Sequence, residues 1–210
     1  MSQKKRIAIM ISGTGTNMQA LIDAQASLNG EIVLVLSSRE DAKGLEKARE
    51  QGFDGICIES SAFEDRALYE QMMLNTLEAY SVDLIVLAGY MRILGDKFID
   101  TYANRMINVH PALLPSFGGA GYYGLKVHEA ALDAGVKVTG ATVHFVTKDT
   151  DAGPIILQEC VRVQPKDTAE VLQKRVLEVE HRLLAAAVRL FCEDRLVIEG
   201  NRVEVVGMEE

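Results

Sequence analysis

Residues 82–88 read Val-Asp-Leu-Ile-Val-Leu-Ala, a nearly unbroken apolar run in a chain of 210 residues. A strand with this composition leaves no face for water. That is expected where helices cover both sides of a parallel sheet. Upstream of it the pattern alternates regularly. Tyr69, Met72, Met73, Leu77 and Tyr80 stripe one face of a helix, Gly55–Glu59 is a short strand, and Asp41–Gln51 is a charged helix. Ile32–Leu36 is another strand, Met18, Leu21, Ile22 and Ala26 fall at helical spacing, and Ile7–Ile11 is a buried-strand run. This β-α-β-α-β-α-β succession predicts an α/β fold with a doubly wound, mostly parallel open sheet.

Downstream of Met106–His110 the rhythm changes. A Gly- and Tyr-rich loop, Ser116–Gly124, precedes a short helix at Leu125–Ala134. The strand runs Val138–Val146 and Ile155–Val163 follow, joined by too few residues for a crossover helix, so they are expected to pair antiparallel. A long helix from Thr168 to about Glu193 carries the stripe Leu172, Val176, Val179, Leu183, Ala187 and Leu190, and Leu196–Glu199 with Arg202–Val206 reads as a hairpin. No Pro- or Ser-rich linker interrupts the chain. Residues 1–210 are therefore read as one domain, with a Rossmann-like half at 1–105 and a half with antiparallel strands at 106–210.

Twenty-two Lys and Arg against thirty Asp and Glu leave a net charge of −8. Such a balance argues against nucleic-acid or anionic-membrane partners, while a local pocket for a small anion is compatible with it. Cys57, Cys160 and Cys192 are scattered singly and fit neither a disulfide framework nor a zinc ribbon. The apolar N-terminal run is too short for a signal segment or a membrane span. A cytoplasmic location is expected, and a homodimer is allowed.

Three segments carry chemistry. The first βα turn, Ser12-Gly13-Thr14-Gly15-Thr16-Asn17, offers glycines for close backbone approach, Thr and Asn to cap the next helix, and a helix N-terminus that favours an anion. A dinucleotide site would want a third glycine where Met18 stands, and an acidic residue at the end of the second strand where Ser37-Ser38-Arg39 stands. A monophosphate site, a nicotinamide cofactor and a plain tight turn all remain open. In the second segment, Asn108 and His110 point to one side at a strand's carboxyl end. An amide beside an imidazole suits a carbonyl that becomes an oxyanion, although a strand-end His is often only structural. In the third, Thr142, His144 and Val146 share a strand face, and Asp151 lies in a Gly-Pro turn from which its carboxylate can orient an imidazole. The bland alternatives are a core histidine at 144 and a turn-forming aspartate at 151. His128 reads as a surface residue, and Glu180 and His181 interrupt an apolar helix. With no paired ligands at metal spacing, no metal is expected.

Taken together, I-S-G-T-G-T-N at 11–17, A-G-Y-M-R-I-L at 88–94, I-N-V-H-P-A-L-L-P-S-F at 107–117 and T-V-H-F-V…D-x-G-P-I-I-L-Q at 142–158 resemble the phosphoribosylglycinamide formyltransferases, formyltetrahydrofolate-dependent enzymes. The resemblance covers essentially the whole chain, though Asn-x-His-Pro alone is shared by several formyltetrahydrofolate enzymes. It implies transfer of a formyl group from 10-formyltetrahydrofolate, a co-substrate, to the amine of 5'-phosphoribosylglycinamide in purine biosynthesis. It implies catalytic roles for Asn108, His110 and Asp151, phosphate binding by Gly13, Thr14, Gly15, Thr16 and Asn17, and a ribonucleotide contact for Glu180. Met91, Arg92, Ile93, Leu94 and Asn108 match the folate site, and Arg66 a cation near the folate's glutamate tail. By the same resemblance the 1–105 half binds phosphate and the 106–210 half carries the catalytic groups and folate contacts. The loop 118–124 departs from the shorter P-G-L-H-type turn of some relatives, so its contacts do not carry over. A deformylase-like enzyme, an NADP-binding oxidoreductase using Gly13, Gly15 and Arg39, and a non-catalytic nucleotide-binding protein are the alternatives.

Overall fold

The computed structural model describes residues 3–207. The chain divides between Ile107 and Asn108 into two compact units. In the first, β1 (Lys5–Ile11), β2 (Gly30–Ser37), β3 (Gly55–Cys57) and β4 (Leu84–Leu87) alternate with α1 (Thr16–Asp23), α2 (Lys43–Glu50) and α3 (Arg66–Ala79). The strands lie in the order β3-β2-β1-β4, and each adjacent pair is parallel. The winding reverses at β1. In open α/β sheets ligands settle at the carboxyl ends of the strands flanking such a reversal. Here those ends lead into Ser12–Gly15 after β1 and into residues 88–95 after β4.

Ile7 through Ile11 and Leu84 through Val86 have no solvent exposure, as their unbroken apolar runs require. Several details differ from the sequence reading, the first being that α1 ends at Asp23 and leaves Ala26 exposed in a separate short turn. The third strand ends at Cys57 instead of Glu59. On α3, Tyr69, Met73 and Leu77 are buried together with Glu70 and Leu74, whereas Met72 is exposed. Burial there follows the i, i+4 rows 69-73-77 and 70-74, which leave position 72 on the other side. A further helix, α4 (Asp96–Thr101), buries Phe98 and Ile99; six residues are too few for a 3.6-residue period to show in sequence.

The second unit opens at the end of β5 (Met106–His110) and continues through α5 (Leu125–Asp133), β6 (Val138–Phe145), β7 (Ile155–Arg162), α6 (Ala169–Cys192), β8 (Leu196–Glu199) and β9 (Arg202–Val205). Its strand order is β5-β6-β7-β9-β8. β6 and β7 pair antiparallel from Val138↔Arg162 to His144↔Ile155, as their short connection demands. β8 and β9 form the expected hairpin, and β9 docks parallel to β7 at Ile155↔Arg202. Thr168 caps α6 by accepting the Val171 N–H, and the helix packs on β6, β7 and α5. Its buried face includes all six residues of the expected stripe.

Candidate active site

The carboxyl end of β5 presents Asn108 and His110 two residues apart, so the pleat turns both to one side. The exit of that strand is held by Thr142 on β6. Its buried hydroxyl donates to the Ala112 carbonyl at 2.6 Å and accepts from the Leu114 N–H at 3.0 Å and the Gln158 amide at 2.9 Å. Two residues along the same strand face stands His144. Its Nδ1–H donates to the Phe145 carbonyl at 2.9 Å, which leaves Nε2 to accept from the Asn108 amide at 3.2 Å.

Asp151 completes the group from the turn between β6 and β7. Its backbone sits at φ 55°, a left-handed conformation that Asp tolerates better than most residues. The carboxylate reaches inward: Oδ2 lies 3.4 Å from His110 Nδ1, and Oδ1 lies 3.7 Å from His144 Nε2. The Gly119 N–H donates to Oδ2 at 2.9 Å. His110 is 4% exposed, and its Nε2–H donates to the Phe117 carbonyl at 2.8 Å.

Burial pushes the His110 imidazole below its ordinary pKa of 6.5, against the pull of the Asp151 carboxylate and the Phe117 carbonyl. Burial alone would raise the Asp151 carboxyl, but His144, His110 and the Gly119 N–H together hold it below 3.8. At neutral pH the carboxylate is therefore ionised and the ring neutral. The carbonyl at Phe117 fixes the ring proton on Nε2, so bare Nδ1 faces a carboxylate oxygen. Two acceptors face each other, and a single proton satisfies both. The arrangement is poised to take up a proton as charge develops nearby.

The turn after β1 is built from backbone instead. Gly15 is the N-cap of α1 at φ 71°, with no side-chain cap hydrogen bond, so the expected Thr or Asn cap is not what ends this helix. A Cβ at Gly15 would lie 2.8 Å from the Gly44 Cα, and Gly44 N–H donates to the Gly13 carbonyl at 3.0 Å. The first turn of α2 thus seats the loop. Thr14 and Thr16 are exposed, Asn17 is buried, and the first-turn N–H groups of α1 point off its end, as in any helix.

After β4, Met91, Arg92 and Ile93 are exposed and Leu94 is buried. Arg92 forms no ion pair or hydrogen bond among the described residues and lines a shallow pocket of about 400 Å³ with Ser38, Arg39, Glu40, Asp41, Glu59 and Ser61. Arg66 Nε donates to Glu70 at 2.6 Å and Nη2 to the Ile93 carbonyl at 2.8 Å. Arg39 is taken up by a two-pronged pair with Asp41, which disfavours it as a reader of a 2′-phosphate.

Residues 5–188 match the formyl transferase family model. The chain belongs to the formyl transferase family. It is 39% identical over 203 residues to the phosphoribosylglycinamide formyltransferase of Escherichia coli strain K12, covering 96% of this chain and 93% of that protein. It is 45% identical over 190 residues to the trifunctional purine biosynthetic protein adenosine-3 of Bos taurus, of which it spans 18% while 90% of this chain is covered. Among solved structures, glycinamide ribonucleotide transformylase 1 from Symbiobacterium toebii superposes with a TM-score of 0.92 at 45% identity, covering 98% of this chain and 95% of that one.

Within this formyl transferase, Asn108, His110 and Asp151 are brought together, and His144 joins them as a fourth member. Its place on the strand face of Thr142 was visible in sequence, but nothing local distinguished it from a core histidine. Glu180 is buried midway along α6. His128, read as a surface residue, is in fact 1% exposed, and burial, joined by repulsion from His110 once that ring is protonated, pushes its pKa down to about 4. The short helix α5 turns Val127, His128 and Ala131 inward, which overrides the polarity of one residue. Among the described residues, no three His, Cys, Asp or Glu side chains gather to hold a metal, and no helix is long and apolar enough to cross a membrane.

Proposed function

We propose that the chain transfers the formyl group of 10-formyltetrahydrofolate to the glycinamide amine of 5'-phosphoribosylglycinamide. The products are N-formylglycinamide ribonucleotide and tetrahydrofolate, and the step belongs to de novo purine biosynthesis. The observation that carries the reading is the run of contacts from His110 to Asp151, from Asp151 to His144 and from His144 to Asn108, in a chain alike over 96% of its length to the Escherichia coli formyltransferase. The amine attacks the formyl carbon, the bond to N10 breaks, and one proton passes from the attacking amine to the leaving nitrogen.

The tetrahedral oxyanion takes a hydrogen bond from the second amide hydrogen of Asn108. It takes another from His110 Nε2–H, which exchanges the Phe117 carbonyl for it. Nδ1 then accepts a proton toward Asp151, and the pair relays it through water. The backbone of Gly13–Asn17 holds the ribonucleotide phosphate, Glu180 its sugar-amide portion, residues 91–94 the folate ring system, and Arg66 with Arg92 the folate's acidic tail. The setting is the cytoplasm, a reading supported by three cysteines, Cys57, Cys160 and Cys192, scattered singly along the chain.

Incubation with both substrates tests this. Tetrahydrofolate release that requires the ribonucleotide is expected. Equal release without it would replace this reading with a deformylase, and binding of NADPH with no formyl transfer would replace it with an oxidoreductase.

A further inference from the structure

Residues 89–95 follow β4 without regular secondary structure, yet they hold out two apolar side chains, Met91 at 54% exposure and Ile93 at 71%. Exposed apolar groups at a sheet reversal suit a ligand ring, provided the backbone beneath them is stiff. That stiffness comes from identifiable contacts. The Met91 N–H donates to Ser12 Oγ at 2.9 Å. The Ile93 carbonyl accepts from Arg66, and the Gly95 N–H donates to Glu70 Oε1 at 2.8 Å. Glu70 Oε1 also takes the Arg66 Nε–H, so one buried oxygen ties a helix cation to the loop backbone. Just ahead, the Tyr90 hydroxyl is 2.7 Å from that of Tyr69 and donates to the Met73 sulfur.

Residues 66, 69, 70 and 73 stand at i, i+3, i+4 and i+7, so a single face of α3 supplies all of these side chains. The fit is close. A Cβ on Gly95 would lie 2.6 Å from Glu70 Oε2, while the Gly95 backbone itself, at φ −80°, would accept alanine.

Resting on the folate reading of residues 91–94 above, we propose that Glu70 is a positioning residue for the donor site. Its carboxylate, locked between Arg66 and the Gly95 N–H, holds Met91–Leu94 in the shape that receives the folate ring, without touching the ligand. A carboxylate serves here because a single charged oxygen accepts from a guanidinium and a backbone N–H at once, and such charge-assisted bonds are about twice as strong as neutral ones. The role of Arg66 splits accordingly: its Nε and Nη2 shape the loop, and its remaining N–H groups face outward.

The test combines steady-state kinetics with amide hydrogen exchange on Glu70→Ala, Glu70→Gln, Gly95→Ala and the double variant Glu70→Ala with Gly95→Ala. Glu70→Ala is expected to raise the KM for 10-formyltetrahydrofolate about 10- to 100-fold, the usual cost of losing a charged buried hydrogen bond. Glu70→Gln should raise it less. The ribonucleotide KM should be unchanged, kcat should stay within about threefold, and residues 91–95 should exchange faster. Gly95→Ala, by pushing the carboxylate aside, should reproduce the effect alone yet add nothing in the Glu70→Ala background. An unchanged folate KM in folded Glu70→Ala, or a Gly95→Ala effect that persists undiminished in that background, overturns the proposal. So does a parallel loss in both substrates' KM values. If Glu70→Ala does not fold, Glu70→Gln and Gly95→Ala decide by the same readouts. Wild-type protein that transfers no formyl group would instead sink the functional reading, and the exchange rates of residues 91–95 would still decide the clamp.

Discussion

The turn after β1 and the group around His110 are both proposed to receive negative charge, and they are made of opposite materials. In the turn, Gly13 and Gly15 clear side chains away so that backbone N–H groups and a helix end do the work, near the surface and with no ionisable side chain. Around His110, two buried imidazoles meet a partly buried amide and a partly buried carboxylate, each fixing the protonation or orientation of another. A phosphate keeps its charge throughout a reaction, so a rigid dipole suffices. An oxyanion exists only briefly and needs groups that can exchange protons as it forms.

The sharpest way to break this contrast is to remove a proposed oxyanion donor. Asn108→Ala should lower kcat by about 10²–10³ while ribonucleotide binding, measured by calorimetry, stays near normal. Because the cluster acts as a unit, His110→Ala combined with Asp151→Asn should cost far less than the product of the single losses. Fully multiplicative losses would show independent groups.

The backbone site should fail differently. Gly15→Val places a β-branched side chain at φ 71° and drives its Cβ to 2.8 Å from the Gly44 Cα. A loss of about 1–3 kcal/mol in urea unfolding is expected, together with a ribonucleotide KM raised well beyond any change in folate KM. Equal changes in both KM values would erase the distinction between the two regions.

The smallest effect is on pH. His128 has a folded pKa of about 4, below the ordinary 6.5, so the unfolded chain takes up its proton first. The stability that His128 contributes is complete above pH 6.5, is lost progressively as pH falls toward 4, and changes no further below that. His110 is shifted in the same direction and adds to the slope. His128→Leu should flatten this acid decline without abolishing it. Urea midpoints at pH 7.5 and 4.5 check this, and an unchanged decline would show that burial of His128 does not set the slope.

The same contrast explains what could be read from the residues alone. Glycine spacing encodes the β1 turn locally, and unbroken apolar runs at Ile7–Ile11 and Val82–Ala88 announce a covered parallel sheet. Asn108 and His110 were readable as a pair because two residues along one strand share a side. Asp151 and His144 were not, since their meeting depends on the pairing of β6 with β7 and on a left-handed residue in the turn. His128 was misjudged because a helix of two and a half turns gives too little pattern to tell which side faces in. The Gly15 cap was missed because threonine and asparagine nearby are ordinary capping residues, and only the close seat on Gly44 favours glycine.

Both attachments between the Gly- and Tyr-rich loop and the His110–Asp151 pair are main-chain atoms, the Phe117 carbonyl and the Gly119 N–H. Neither bond specifies a side chain. From position 120 onward the loop reaches that pair only at one remove, through the Tyr122 ring set edge-on against Phe117 and the Tyr122 N–H donated to the Gly119 carbonyl. The same stretch is where a reporter group can be grafted next to the proposed catalytic pair.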